Sequence, residues 1–422
     1  PPQLWQPRPA FPDRSTPDRG ETGKTRDMKS LKFAAAILGL FATTAPAALS
    51  QSWEFSMAPG PRWDSPTTGN YFKFRGRAYF DIADVDWSSP LSAAPADGEE
   101  WRTLWFGIEG QIGNLKLVAE YDWLPDDPAP SDVHLTYRLP EGSVRVGNFK
   151  TMNSMDEQTS SLNISFMERG LLTDIFGIDR RLGAAYFWSN DNFTASAGIY
   201  GGKMEDNFQL AEADDSSAFA GRLTWHTETE DGSTIHLGAS FRNLDYDGGT
   251  RLRDRPQAHL ANNFATADYR TASLLGEADS SGLMALEAAI IRGPFWAHGE
   301  FARMTLDGPA GDPAFESGFA SLGYILTGET RGYRGSSGVF GGISPTAALS
   351  AGGLGAWEIA ARADYADMGD AGLGTIETLT LGVNWYVERY ARVMFNYVSG
   401  EHDAPTYTET SDVAQLRLQV GF

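Results

Sequence analysis

The chain has 422 residues, no cysteine and a formal charge of −21, with a mean hydropathy of −0.32. Such an excess of acid argues against nucleic acid as a partner, since a polyphosphate must be met by basic side chains. The missing thiols exclude disulfide staples and thiolate metal sites, and beyond residue 50 no apolar run reaches the ~20 residues of a membrane-spanning helix.

In chain order, residues 1–27 are rich in Pro, Arg and Asp and read as a non-native upstream extension. Met28-Lys29-Ser30-Leu31-Lys32, the apolar run Phe33 to Phe41 and the small residues Ala45-Pro46-Ala47-Ala48 have the three-part layout of a secretory signal. Residues 28–50 are therefore expected to be a signal peptide, with cleavage after Ala47 or Ser50. A periplasmic N-terminal segment is expected over 51–70 and a β-barrel over 71–422. From residue 51 there are 27 Lys and Arg against 51 Asp and Glu, a net −24.

Period-two alternation bounded by turn residues predicts sixteen strands. They lie near 72–81, 100–110, 113–122, 131–138, 143–149, 181–189, 192–200, 217–227, 233–242, 281–292, 294–305, 316–327, 355–366, 376–387, 390–399 and 413–422. An even number suits a closed antiparallel barrel. The connections alternate in length. Residues 82–99, 123–130, 150–180, 201–216, 243–280, 306–315, 367–375 and 400–412 read as long external loops, and the intervening connections as short periplasmic turns, except for the Gly-rich 328–353. The expected fold is all-β: a 16-stranded antiparallel transmembrane barrel.

The faces follow from parity. Leu379, Leu381, Val383, Trp385 and Val387 oppose Thr380, Gly382 and Asn384, and Leu416, Leu418, Val420 and Phe422 oppose Gln415, Arg417, Gln419 and Gly421. One face suits lipid and the other water. Trp53, Trp105, Trp188, Trp225, Trp357, Trp385, Tyr365, Tyr386, Tyr390 and Tyr397 fall largely near strand ends, where aromatic girdles form. On the water parity lie Lys73, Arg75, Arg77, Lys116, Arg138, Arg145, Arg181, Arg222, Arg242, Arg362, Arg392 and Arg417. The acids there are Asp81, Glu109, Glu120, Asp122, Asp132, Glu287, Glu300, Glu358 and Asp364, so the lumen carries +3 inside an acidic chain. A narrow passage focuses the field of its own lining, which points to an anion preference; pairing of inward Arg with inward acid is the competing use of the same residues.

Four stretches resemble the family of phosphate-selective porins O and P. They are Phe74-Arg75-Gly76-Arg77; Trp101 to Gly110 with Glu120-Tyr121-Asp122; Val146 to Lys150 through Glu157-Gln158-Thr159-Ser160-Ser161 to Phe166-Met167-Glu168-Arg169; and Leu326 to Tyr333 running on to Gly355-Ala356-Trp357-Glu358 and Gly382 to Tyr386. The resemblance implies a homotrimer, assembly through a final strand ending on an aromatic, a long periplasmic turn at 328–353 and an inward-folded third loop. That loop would bring Lys150, Glu157, Ser160, Ser161, Glu168 and Arg169 to a constriction beside Arg77 and Arg102. Phosphate-selecting members resemble one another in an Arg-Arg pair and a loop Lys; here those positions read Arg102-Thr103 and Glu157, so the residue of inward parity is lost and the field at the loop is reversed. High phosphate selectivity is not expected.

No enzymatic motif stands against this reading. The six His form no HExxH pair, no G-x-S-x-G elbow occurs, and no cofactor or metal is expected. The expected setting is the Gram-negative outer membrane, with lipid, lipopolysaccharide and the barrel assembly machinery as partners and small anions as solutes. A non-selective porin and a plugged structural or adhesive barrel remain the alternatives. Changing Arg77 or Arg102 to Ala is expected to lower anion preference, and Glu157→Lys to raise phosphate affinity, read as reversal potentials; unchanged potentials in all three would remove the constriction assignment.

Overall fold

The computed structural model describes residues 53–57, 60–91, 97–125, 128–204, 215–270, 273–308 and 311–422. The expected upstream extension and signal peptide lie outside the described residues. So do the loop acids Asp126, Asp127, Glu205, Asp206 and Asp214.

Sixteen strands form the wall: β1 Tyr71–Ser88, β2 Gly98–Ile112, β3 Leu115–Asp122, β4 Ala129–Leu139, β5 Gly142–Lys150, β6 Arg180–Ser189, β7 Phe193–Tyr200 and β8 Ser217–Glu228. They continue as β9 Thr234–Asp245, β10 Ser280–Arg292, β11 Phe295–Asp307, β12 Ala314–Ile325, β13 Ala356–Asp367, β14 Thr375–Glu388, β15 Ala391–Ala404 and β16 Tyr407–Gly421. Each pairs antiparallel with its neighbours, and β16 returns to β1 with Leu416 opposite Ile82 and Gly421 opposite Arg77. Closure is what lipid requires, because an open edge would leave amides with neither water nor a partner. No described helix is long and apolar enough to cross a membrane.

Every predicted strand is present, and exposure alternates as the parity requires: in β14 Leu379, Leu381 and Val383 are exposed while Thr380 and Asn384 are buried. Two loops were expected to be longer than they are. β1 runs on to Ser88, and β15 and β16 meet across residues 405–406, so half of 82–99 and most of 400–412 is strand. The polarity of the faces reverses there. Ala83, Val85 and Trp87 turn inward and are buried, while Asp84, Asp86, Glu401 and Asp403 face out. A parity rule that assigns the apolar face to lipid stops at this level, because outside the bilayer the surroundings are water and the apolar side must turn inward.

The inward apolar residues of the outer half meet two external segments in a hydrophobic core. Trp87, Leu283, Met304, Phe315, Ile376, Val398 and Val413 from the wall pack with Leu171, Leu172, Ile175 and Phe176 of one segment and Leu252, Phe264, Ala267 and Tyr269 of another. The second contains its own hairpin, Gly249–Arg253 against Thr266–Arg270.

At the other end, short strands Glu54–Ser56 and Arg62–Asp64 extend the edge of β1 below β16, with Trp63 opposite Phe72. Phe422 exchanges backbone hydrogen bonds with Gly76 at 3.0 and 2.9 Å. Its ring lies between Gly60 and Gly76, where added Cβ atoms would approach it to 2.5 and 2.7 Å. A ring held from both sides has nowhere to shift. Gly76→Val is therefore expected to cost about 1–3 kcal/mol of overpacking and to lower the fraction that folds, measured as heat-modifiable mobility; folding at wild-type yield would contradict this.

Candidate functional site

The link between β5 and β6 carries the candidate site. It begins with helix α1, Met155–Gln158, whose N-cap Ser154 accepts from the Glu157 amide at 3.0 Å, the Ser-x-x-Glu spacing that starts helices. Helix α2, Leu171–Ile175, follows, its apolar side chains in the outer core. Between and around them, backbone groups bond to side chains of the water parity. The Asp156 amide donates to Glu300 at 2.6 Å, the Met167 amide to Asn396 at 2.7 Å and the Leu171 amide to Asp364 at 3.1 Å. Arg242 donates to Phe176 O at 2.7 Å, Arg362 to the carbonyls of Glu168 and Arg169 at 3.1 Å, and Arg392 to Ile164 O at 2.6 Å. The segment is thus tied to β9, β11, β13 and β15, and Arg77, Asn384 and Arg417 tie it to β1, β14 and β16 as well. Backbone groups taken from water need such partners.

Beside it is a cavity of about 640 Å³. Arg77, Tyr79, Arg102 and Trp105 line it from the wall, Lys150, Glu157, Ser161, Glu168, Arg169 and Asp174 from the β5–β6 connection, and Arg251, Arg253, Asp254, Arg255 and Arg270 from the β9–β10 hairpin. With Arg180, Lys203 and Arg417 the lining holds eleven basic residues against five acidic ones.

The deep cations are paired. Arg102 is bidentate to Glu168 at 3.0 Å, and Arg417 joins Glu168 at 2.8 Å to Asp81 at 2.6 Å. Burial opposes charge on Glu168, but Arg102 and Arg417 outweigh it and hold the carboxyl below its usual range. Arg77 meets Glu120 at 3.1 Å and Ser161 at 2.9 Å, with its guanidinium 4.5 Å from the Trp105 ring. The shallow cations differ. Arg251 and Arg253 are exposed and Arg255 is half-buried, alternating with buried Leu252 and Asp254, so three guanidiniums line one side of the hairpin.

The stretch 72–422 matches the family model of phosphate-selective porin O and P. The chain belongs to this family of porins. It is 31% identical over 373 residues to an uncharacterized protein of Caulobacter vibrioides, covering 83% of this chain and 74% of that one. To Porin O of Pseudomonas aeruginosa it is 26% identical over 378 residues, covering 81% and 85%. Among solved structures, an anion-selective porin from Comamonas acidovorans matches with a TM-score of 0.52 at 11% identity, over 84% of this chain and 100% of that one. A trimer form of OmpT from Vibrio cholerae matches at 0.50 and 12%, over 84% and 99%. At such identities the structures speak for the fold. This porin is an outer-membrane channel for small solutes in a Gram-negative bacterium, and family and fold point to a channel rather than an enzyme.

Of the residues singled out from the sequence of this porin, Arg77, Arg102, Lys150, Glu157, Ser161, Glu168 and Arg169 line the cavity. Ser160 does not; it accepts the Asn163 and Leu162 amides. Lys73 and Arg75 are drawn to Glu109, and Arg145 stacks on Phe187 at 4.6 Å. Arg138 is exposed near the inner end of β4, away from the cavity. Arg222 pairs with Glu287 at 2.5 Å, and Arg242, Arg362 and Arg392 serve the carbonyls named above. Pairing and loop-holding thus account for most inward Arg.

Three expectations need correction. Arg102 was read as having outward parity, but a β-bulge sets Tyr79 opposite Thr103 and Phe80 opposite Trp101, and the extra residue, Arg102, reaches Glu168 inside. Glu157 was read as reversing the field. It lies between Lys150 at 3.0 Å and Arg169 at 2.8 Å, so its charge is compensated. Trp105 and Tyr386 were placed in a girdle; Trp105 faces the cavity and Tyr386 is buried against Glu358 at 2.7 Å, whereas Trp357 and Trp385 do stack on the exposed side at 5.4 Å. The hairpin arginines went unread, although Arg251-Leu252-Arg253-Asp254-Arg255 carries the alternation used everywhere else.

Asp174 titrates in a useful range. Asp174 is exposed to the cavity, yet the protein packed around it and then the nearby Glu168 raise its carboxyl to about 6. Above that pH it adds a negative charge to the lining, and below it the charge is lost. Chloride-over-potassium permeability is expected to rise as pH falls from 7.5 to 5, and Asp174→Asn to show the low-pH value throughout. A variant that kept the full pH dependence would show that another group is responsible.

Proposed function

We propose that this porin favours small anions, that the α1–α2 segment folded into the lumen forms its constriction, and that it assembles as a homotrimer. The sign of the cavity lining carries the reading: eleven cations to five acids in a chain whose net charge is −21. In a confined passage the nearby lining outweighs distant charge, much of it beyond a Debye length of ~8 Å at physiological salt. The exposed Arg251 and Arg253, with the half-buried Arg255 beside them, would collect anions at the mouth. Deeper in, Arg102, Arg417 and Arg169 are already engaged by Glu168, Asp81 and Glu157. A dense anion such as phosphate binds tightly only by gathering several charge-assisted donors at once. Here it would have to displace carboxylates, which supports weak, transient anion binding over phosphate trapping. The trimeric OmpT supports the assembly.

The test is conduction by purified protein in a planar bilayer. Stepwise currents with chloride favoured over potassium are expected, and changing Arg251, Arg253 and Arg255 together to Gln should reduce that ratio several-fold. Cation preference in the wild type would defeat the reading, and electrically silent protein would favour a plugged, adhesive barrel.

A further inference from the structure

We propose that the periplasmic turn 328–353 is a strut that holds the constriction from below, with Arg331, near its start, as the positioning residue. This rests on the reading of the α1–α2 segment as the constriction.

Periplasmic turns of such barrels are ordinarily short. This one turns back on itself, pairing Tyr333 with Phe340 and Arg334 with Val339. Arg331 is 3% exposed, and its guanidinium donates to Ser165 Oγ and to the Asn163 carbonyl, both in the segment that connects β5 to β6 at the opposite end of the barrel. Two rings flank it, Phe340 at 4.1 Å and Trp296 at 4.6 Å, and Glu358 is 3.7 Å away. A Cβ on Gly342 would lie 2.9 Å from Asn163 Oδ1, so the turn also meets the segment by backbone contact.

The turn has a seat on the wall. Arg222 donates to the carbonyls of Ser337 at 2.9 Å and Gly338 at 2.6 Å while pairing with Glu287. His236 meets the Tyr333 hydroxyl at 2.7 Å through Nδ1 and Glu287 at 3.0 Å through Nε2. Gly338 has φ +59°, and a Cβ there would come within 2.6 Å of Thr224 Oγ1, so the turn lies tight against β8. Bonded to β8 and β9 on one side and to Asn163 and Ser165 on the other, the turn bridges wall and segment. Arg331 does not line the 640 Å³ cavity, so any effect it has on conduction must act through the position of residues that do. Ser161 and Ile164 are such residues, and they bracket Asn163 in sequence.

The experiment compares Arg331→Met, Tyr333→Phe and Arg102→Ala with wild type in planar bilayers, with heat-modifiable mobility to show that each barrel is folded. Arg331→Met is expected to change single-channel conductance at least twofold and to lower the chloride-to-potassium ratio. Tyr333→Phe, which removes only the hydroxyl that bonds to His236 on the wall and does not line the cavity, should shift both in the same direction by less, and it is the milder test should the first variant fail to assemble. In the Arg331→Met background, Asn163→Cys with Gly342→Cys should restore wild-type conductance when oxidised and lose it on reduction; the chain has no other cysteine. A folded Arg331→Met channel with wild-type conductance and ratio overturns the strut, as does a formed disulfide that rescues nothing. If Arg102→Ala alters the ratio while Arg331→Met does not, the strut fails and the constriction stands. If neither alters it, the constriction itself has been misassigned.

Discussion

Inside a bilayer an amide has no water to fall back on, and that single deprivation organises this molecule. Each strand must find partners on both edges, so the sheet has to close on itself. Closure fixes an inside and an outside, and alternation along each strand then delivers one set of side chains to lipid and the other to the lumen. The junction of β16 with β1 is the last place this demand is met, which is why the region around Phe422 is so fully occupied. Backbone bonds to Gly76, a ring between two glycines and the short N-terminal strands together leave little of that edge unpaired.

The same scarcity of water shapes the interior. The α1–α2 segment has little regular secondary structure, and its carbonyls would be orphaned without donors from the wall. Guanidinium groups supply them: Arg242, Arg362, Arg392 and Arg417 each reach a main-chain oxygen of the segment. Arginine suits this work because it stays charged when enclosed and presents several donors in a rigid fork. An inward positive charge in this barrel is therefore as often a fastener as a contact for a passing ion. The two uses are separated by exposure, with the fasteners buried and Arg251 and Arg253 exposed on the hairpin.

Local pattern was enough to read all sixteen strands and the face each presents, because the distinction between lipid and water is written into neighbouring residues such as Leu379, Thr380 and Leu381. What failed depended on partners far away in the chain. The direction of Arg102 follows from a bulge visible only once β1 is laid against β2. The compensation of Glu157 needs Lys150 and Arg169 to be brought together by the fold of the segment. Val85, Val398 and Val413 belong to an inward core because the strands rise beyond the bilayer, and parity alone does not mark where lipid stops. The hairpin arginines were a different kind of omission: the signal lay in five consecutive residues, but inside a stretch read only for its length.

The packed nucleus in the outer half of the barrel governs how solutes travel. Sixteen strands set the girth of the wall, not of the hole, for Trp87, Phe264, Phe315, Tyr269 and their neighbours occupy much of the mouth with side chains in contact. The 640 Å³ cavity lies instead on the flank where β1, β2 and the start of β6 contribute Arg77, Arg102, Trp105 and Arg180. A solute that took this cavity would follow an eccentric slit with a packed apolar bank on one side and a charged one on the other. Such a passage sorts molecules by thickness and by which edge carries their charge, and its throughput would fall well short of that of an unobstructed cylinder of equal circumference.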